Sequence, residues 1–270
     1  MVSYHDLMTG FRKLSIEPQK PVIVHTSLSA FGNIRGGAAT LLGVLLAIFP
    51  RVMMPAFTFK TMIIPEIGPP LNGLQYGQGK NLNRMAEIFE KSMPVDSLMG
   101  DVAETMRRHP KAHRSRHPIL SFSGIGVYKA LTSQTLQTPF APIEYLMNAE
   151  GWVILAGVDQ SVNTSIHLAE HLAGRKSFTR WALTESGVVS CPGYPGCSDG
   201  FTQLDAELKS LTRTVFVNGA EIKAIPLAEM MAKGMGIIRE DPQALLCSRN
   251  SCPRCDAIRT TTRQAKYTRV

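Results

Sequence analysis

The stretch at residues 151–171, GWVILAGVDQSVNTSIHLAEH, leaves this chain few ways to fold. Trp152–Ala156 is a short apolar run with β-branched members, bounded by glycines, and reads as a buried strand. Gly157 breaks it, and Asp159, Ser161, Asn163 and Thr164 are all residue types that cap a helix start. From Thr164 the pattern is helical, with Thr164, His167, Glu170 and His171 on one face.

An imidazole changes charge near neutral pH, and a carboxylate one helical turn away can orient it. His167 and Glu170 therefore have the spacing of a general base and its orienting partner, placed just beyond a strand end. The same spacing also describes an ordinary pair on a helix surface, which stabilises by roughly 0.2–0.5 kcal/mol. A third reading uses the same residues. His167, Glu170 and His171 spell H-x-x-E-H, a zinc-binding signature in which both histidines hold the metal and the glutamate activates water.

Taken in order, Tyr4, Leu7, Met8, Phe11 and Leu14 recur at helical spacing, and Pro18 and Pro21 end that opening helix. A buried strand at 22–24 leads through the polar loop 25–32 and Gly36-Gly37 into an apolar helix at 38–49. Such a strand, loop and helix start make an anion seat, because free backbone N–H groups point outward there. Residues 52–58 read as a second strand. The Pro/Gly-rich stretch 59–80 has the length and composition of a lid or binding loop. Helices are expected at 82–91, 97–108 and 142–148, and hairpins at 178–190 and 215–225, the latter turning at Asn218-Gly219. A last helix is expected at 227–233. Strands and helices alternate early while hairpins cluster toward the C-terminal half, so the expectation is an α/β fold with a mixed sheet.

Five cysteines, an odd number, argue against a disulfide framework and for a reducing compartment. No run approaches the ~20 apolar residues that span a bilayer, and the polar N-terminus is unlike a signal peptide. The expectation is a cytoplasmic protein. The net charge of +8 is partly local, in the run Arg107 to His117 and in Arg254, Arg259, Arg263, Lys266 and Arg269. No nucleic-acid motif accompanies it and aromatics are not interleaved with it, so a phosphorylated small molecule fits better than RNA or DNA. Cys252-x-x-Cys255, with Cys247 upstream and Cys191 and Cys197 in a Pro/Gly-rich loop, offers material for a structural zinc site, although no site is assigned. The expected organisation is a single domain over 1–246 with a cysteine-containing basic tail over 247–270.

Four segments together resemble the aminoglycoside 3-N-acetyltransferase family: VHTSLSAFGNIRGGAATLLGVL (24–45), RSRHPILSFSGIG (114–126), LAGVDQSVNTSIHLAEH (155–171) and GCSDGF (196–201). The resemblance implies a three-layer α/β/α fold around a mixed central sheet, and acetyl-CoA as the donor. It implies direct acetyl transfer to an amine of an aminoglycoside-like small molecule, with His167 as catalytic base and Glu170 supporting it. It further implies that Ser27, Ser29, Phe31, Gly36 and Gly37 hold coenzyme A, together with His117, Pro118 and Ser121. Charge and motif neighbourhood add Arg35 and Arg114 as phosphate ligands. Residues 59–80 carry a single acid, Glu66, which is sparse for a polycationic acceptor, so acids elsewhere such as Asp101, Glu104, Asp199 and Asp205 would have to line its pocket. Two other readings stand beside this one: a zinc hydrolase using 167–171, and a non-catalytic binder of an anionic ligand.

Overall fold

A computed structural model describes the backbone of residues 1–267 and the side chains of residues 1–264. Its strands are β1 (Val22–Thr26), β2 (Val52–Pro55), β3 (Met62–Ile63), β4 (His113–Arg114) and β5 (Phe122–Ile125). They continue as β6 (Trp152–Ala156), β7 (Phe178–Thr184), β8 (Gly187–Tyr194), β9 (Arg213–Val217) and β10 (Ala220–Pro226). Seven of them form one sheet in the order β4-β5-β2-β1-β6-β10-β9, and β3-β7-β8 form a separate small sheet. β1 runs parallel to β2 and β6, while the remaining pairings are antiparallel.

The two-residue alternation of a strand sets the layers. Val22, Val24, Ile154 and Ala156 share one core with Leu7 and Phe11 of the helix Tyr4–Arg12 and with apolar residues of Gly37–Ile48 and Gly100–Arg108. Ile23, Val153 and Leu155 belong to the other, with the helices Ala141–Asn148, Ile166–Leu172 and Leu227–Glu240. This is the expected three-layer α/β/α arrangement around a mixed sheet. Val22, Ile23, Val24, Val153, Ile154 and Leu155 are all 0% exposed. Burying each such side chain is worth about 1.5–3 kcal/mol, so β1 and β6 form a stiff floor for whatever their ends carry.

The turn between β9 and β10 has φ of 49° at Asn218 and 83° at Gly219, as an Asn-Gly hairpin requires. Other expectations change. The helix expected at 82–91 shrinks to Lys80–Arg84, because Leu82, Met85 and Ile88 find no core and Phe89 hydrogen-bonds to Leu183 of β7 instead. The helix expected to stop at residue 233 runs from Leu227 to Glu240. Gly234 is used there for close approach: a Cβ at this position would lie 3.2 Å from the Ala169 side chain on the neighbouring helix. The tail forms a further helix, Pro253–Tyr267, where none was expected. Within that tail the Lys266 side chain and all of Arg269 lie outside the described residues. Among the described residues no helix is long and apolar enough to cross a membrane.

Candidate active site

The parallel strands β2, β1 and β6 end side by side, and a cavity of about 1000 Å³ opens beyond their carboxyl ends. Open α/β sheets bind ligands in this position. Thr26 at the end of β1 and Ser27 and Ser29 in the loop after it line it, with Pro55 at the end of β2, Phe57 beyond it and the segment after β6. Gly157 makes the last crossing. Its φ is +73°, and a Cβ there would meet the Ala30 side chain at 2.4 Å. Beyond it the Asp159 carboxylate accepts the Ser161 N–H at 2.8 Å, and the Asn163 side-chain carbonyl accepts the Ser165 N–H at 3.1 Å. These two turns aim the helix Ile166–Leu172 so that Thr164 and His167 reach the cavity.

The side chains of His167 and Glu170 are both buried, and Nδ1 of His167 lies 2.6 Å from Oε2 of Glu170. Oε1 of the same carboxylate accepts a hydrogen bond from Arg175 Nη1 at 2.8 Å. Arg175 reaches back because the helix ends on Gly174 with φ +79°, and the Arg175 N–H bonds the Glu170 carbonyl at 2.9 Å. Arg175 in turn donates to the carbonyls of Pro242 and Ala244. Burial pushes the Glu170 carboxyl up, but the hydrogen bond from His167 and the charges of His167 and Arg175 outweigh it and hold the group below its ordinary value. The imidazole is further clamped between Phe140, stacked at 5.9 Å, and Phe201, edge-on at 4.8 Å. With Nδ1 committed to Glu170, Nε2 is the ring nitrogen left to face a ligand.

Arg175 and Phe140 were not anticipated from sequence. The Gly174-Arg175 pair at a helix end was a signal for the first; the second came from a distant helix start with no local mark. Phe201 closes the GCSDGF segment, and Gly196, Ser198 and Asp199 of that segment line the cavity.

The residues expected to bind the cofactor separate into three groups. Ser27 and Ser29 line the cavity, their hydroxyls 3.0 Å apart. Phe31 is a fully buried core residue, and Arg35 and Gly36 are exposed, with Gly37 half-buried; none of these lines the cavity. Of the segment 114–121, Leu120 alone lines the cavity. Arg114 donates to the carbonyls of Ala56 (2.7 Å), Lys91 (3.2 Å) and Met93, and to the Ser121 hydroxyl at 3.1 Å. Burial, reinforced by Arg107, brings its pKa down to about 10. His117 Nδ1 accepts the Ile119 and Leu120 N–H groups, and the Pro118 carbonyl accepts the Thr58 and Thr61 hydroxyls. Arg114, Pro118 and Ser121, expected to meet a ligand, bond within their own scaffold, and His117 does so through Nδ1 while its Nε2 has no partner; none of the four lines the cavity. Arg107 likewise pairs with Glu104, at 2.8 Å from Nε.

Two other expectations change at the site. His171 is exposed, and Glu170 is occupied by His167 and Arg175, so 167–171 do not assemble as a zinc motif. Among the described residues the one group able to hold a metal is Cys197, Cys247, Cys252 and Cys255, away from His167 in chemistry. The cavity is also less basic than the chain. Its charged lining is Asp101, Asp199 and Arg254, while Glu104 and Asp205 are turned to Arg107 and Lys223.

The architecture has solved counterparts. The crystal structure of the aminoglycoside acetyltransferase AAC(3)-IVa apoenzyme superposes with a TM-score of 0.78 at 25% identity, over 96% of this chain and 97% of that one. A family model described as Aminoglycoside 3-N-acetyltransferase matches residues 23–238, and the chain belongs to this family of acyltransferases. It is 27% identical to the SPbeta prophage-derived aminoglycoside N(3')-acetyltransferase-like protein YokD of Bacillus subtilis (strain 168), over 59% of this chain and 61% of the relative. It is 31% identical to Aminoglycoside N(3)-acetyltransferase VII of Streptomyces paromomycinus, over 56% of this chain and 54% of the relative. Both matches thus span less than two thirds of the relative's length.

Proposed function

We propose that this chain transfers an acetyl group from acetyl-CoA directly to an amine of an aminoglycoside-like small molecule, with His167 as the general base. The observation that carries this reading is a buried imidazole on the cavity wall, its Nδ1 held by Glu170 and Glu170 held by Arg175. An amine that is protonated at neutral pH cannot attack a thioester until it loses a proton. Once that proton has gone to solvent, the neutral nitrogen bonds to the acetyl carbon while Nε2 of His167 takes a second proton from it, and Glu170 stabilises the imidazolium that forms. The carbon–sulfur bond then breaks, and the thiolate leaves as coenzyme A after accepting that second proton from the imidazolium. The products balance as an N-acetylated amine, a free thiol and the one proton released to solvent.

The residues present fit both substrates. The Ser27 and Ser29 hydroxyls are donors for the polar pantetheine chain, and the Thr164 hydroxyl or nearby backbone N–H groups serve the thioester oxygen as it gains charge. Asp101 on the cavity wall suits a cationic acceptor in a chain that is otherwise basic, while Asp199 there is paired with Arg249.

The test is thiol release from acetyl-CoA by the purified chain with a panel of aminoglycosides, simple diamines and a hydroxylamine. Aminoglycoside-dependent release that a chelator leaves unchanged is the expected result. No release with any amine, or hydrolysis that needs a metal and no acetyl-CoA, would overturn the proposal.

A further inference from the structure

Four of the five cysteines meet although they come from two distant parts of the chain. Cys197 follows β8, Cys247 and Cys252 flank the turn before the last helix, and Cys255 sits in that helix's first turn. Their sulfurs all lie within 4.8 Å of one another and all four residues are buried, while Cys191 stands outside the group. Cys252-Pro-Arg-Cys255 supplies the C-x-x-C spacing, with Pro253 opening the helix, as suits a fixed first turn.

The surroundings are those of a bound cation with thiolate ligands. The cysteines make up half of a small satellite core with Phe178, Leu246, Ala257 and Ile258, separate from both main cores. Ala257 and Ile258 are the only large or small apolar residues by which the described part of the last helix joins that core. An apolar cluster this small supplies little stability alone, and natural structures of this size are commonly stapled. Arg249 Nη2 lies 3.6 Å from the Cys197 sulfur and pairs with Asp199. This donor offsets part of the excess negative charge that four thiolates around a divalent ion would carry.

We infer that Cys197, Cys247, Cys252 and Cys255 form a structural zinc site that fastens the C-terminal helix to the rim of the active-site cavity. Four sulfur ligands select zinc over harder cations, and all four positions are filled by protein, which leaves no place for a reacting water. Binding converts four thiols to thiolates and releases their protons to solvent. The site has a direct bearing on the cavity. Ser198 and Asp199 follow Cys197, and Arg254 lies between the two ligands of the C-x-x-C; all three line the cavity wall. Arg254 also donates to the carbonyls of Pro195 and Gly196, so the metal fixes both sides of this contact.

The experiment is metal analysis of the full chain, purified under reducing conditions without a metal-affinity tag. One zinc per chain is expected, released stoichiometrically by a mercurial reagent, with a lowered Tm after removal. Cys197→Ser and Cys252→Ser should lose the metal, and Cys191→Ser should keep it. Where a serine variant fails to fold, Cd²⁺ exchanged into the folded wild-type chain should give an intense sulfur-to-cadmium charge-transfer absorption. A folded chain free of zinc, iron in its place, two disulfides among the four cysteines, or cadmium uptake without that absorption would each overturn the inference. None of these readouts depends on acetyl transfer.

Discussion

Two polar constellations sit within the same sheet framework and meet different ends. His167, Glu170 and Arg175 pass a chain of hydrogen bonds from the protein interior to the cavity, and the last atom, Nε2 of His167, has no intramolecular claim on it. Arg114, His117 and Ser121 are as polar and as buried, yet their bonds close on the carbonyls of Ala56, Lys91 and Met93 and on the N–H groups of Ile119 and Leu120. Buried polar residues are costly unless satisfied, and most polar atoms of both groups are bonded, with Nε of Arg175 and Nε2 of His117 left without a partner. What separates a reacting site from a scaffold is the direction in which the satisfied chain points.

Substitution at His167 should produce the largest effect on turnover. His167→Asn keeps a donor near the place of Nδ1 for Glu170 and removes the basic Nε2. A general base contributes about 10²–10⁴-fold, and a loss of that order in kcat is expected with the fold intact, because Arg175 still neutralises Glu170. A His167→Asn chain with undiminished kcat would erase the distinction drawn here, since the imidazole would then be scaffold as well.

Arg114→Met is the converse. It strips a donor from the buried carbonyls of Met93 and Ala56, the latter keeping the Ser121 hydroxyl, and from the part-buried carbonyl of Lys91, and it removes a ring contact with Phe89, 5.6 Å from the guanidinium carbon. Each buried carbonyl left bare costs about 1–3 kcal/mol where water cannot reach it. The expected outcome is a Tm lowered by several degrees, with the KM for acetyl-CoA nearly unchanged in the folded fraction. A raised KM at unchanged Tm would return Arg114 to the role of phosphate ligand and sink the scaffold assignment.

The two constellations were not equally legible in sequence. The helix carrying His167 and Glu170 announces itself through a strand, a glycine and capping residues, and both partners lie within one turn, so local spacing suffices. The same holds for the Asn218-Gly219 hairpin and for the alternation that gives the sheet two covered faces. Arg114 looked like an anion ligand because a sequence shows charge and hides burial: its carbonyl partners lie 21 to 58 residues away in the chain. The same limit left open which four of the five cysteines meet, Cys197 with Cys247, Cys252 and Cys255, and concealed the clamp of Phe140 on His167. The helix predicted at 82–91 failed for the opposite reason. Its spacing was right, but no apolar surface was present for it to cover.

The smallest expected effect again sets cavity wall against scaffold, through His25 and His117. Both are buried, and Nε2 of each lacks a hydrogen-bond partner. Burial lowers the pKa of His25 to about 3 and that of His117 to about 4. A histidine with a lowered pKa binds its proton more readily when unfolded, so stability is complete above the unfolded value of about 6.5 and drains away as pH falls toward the folded one. Between pH 6.5 and 5.5 each should cost about 1 kcal/mol, measurable as a steeper fall of denaturant midpoint with acid. His117→Asn, which keeps an acceptor for the Ile119 and Leu120 N–H groups, should remove one proton from this slope whether or not the cavity is filled. His25→Leu should remove the other, but His25 borders the cavity, so a bound ligand that supplies an acceptor or donor to its ring should alter the wild-type slope through this residue alone. If ligand instead shifts the contribution of His117, the wall between cavity and scaffold is not where the hydrogen bonds put it.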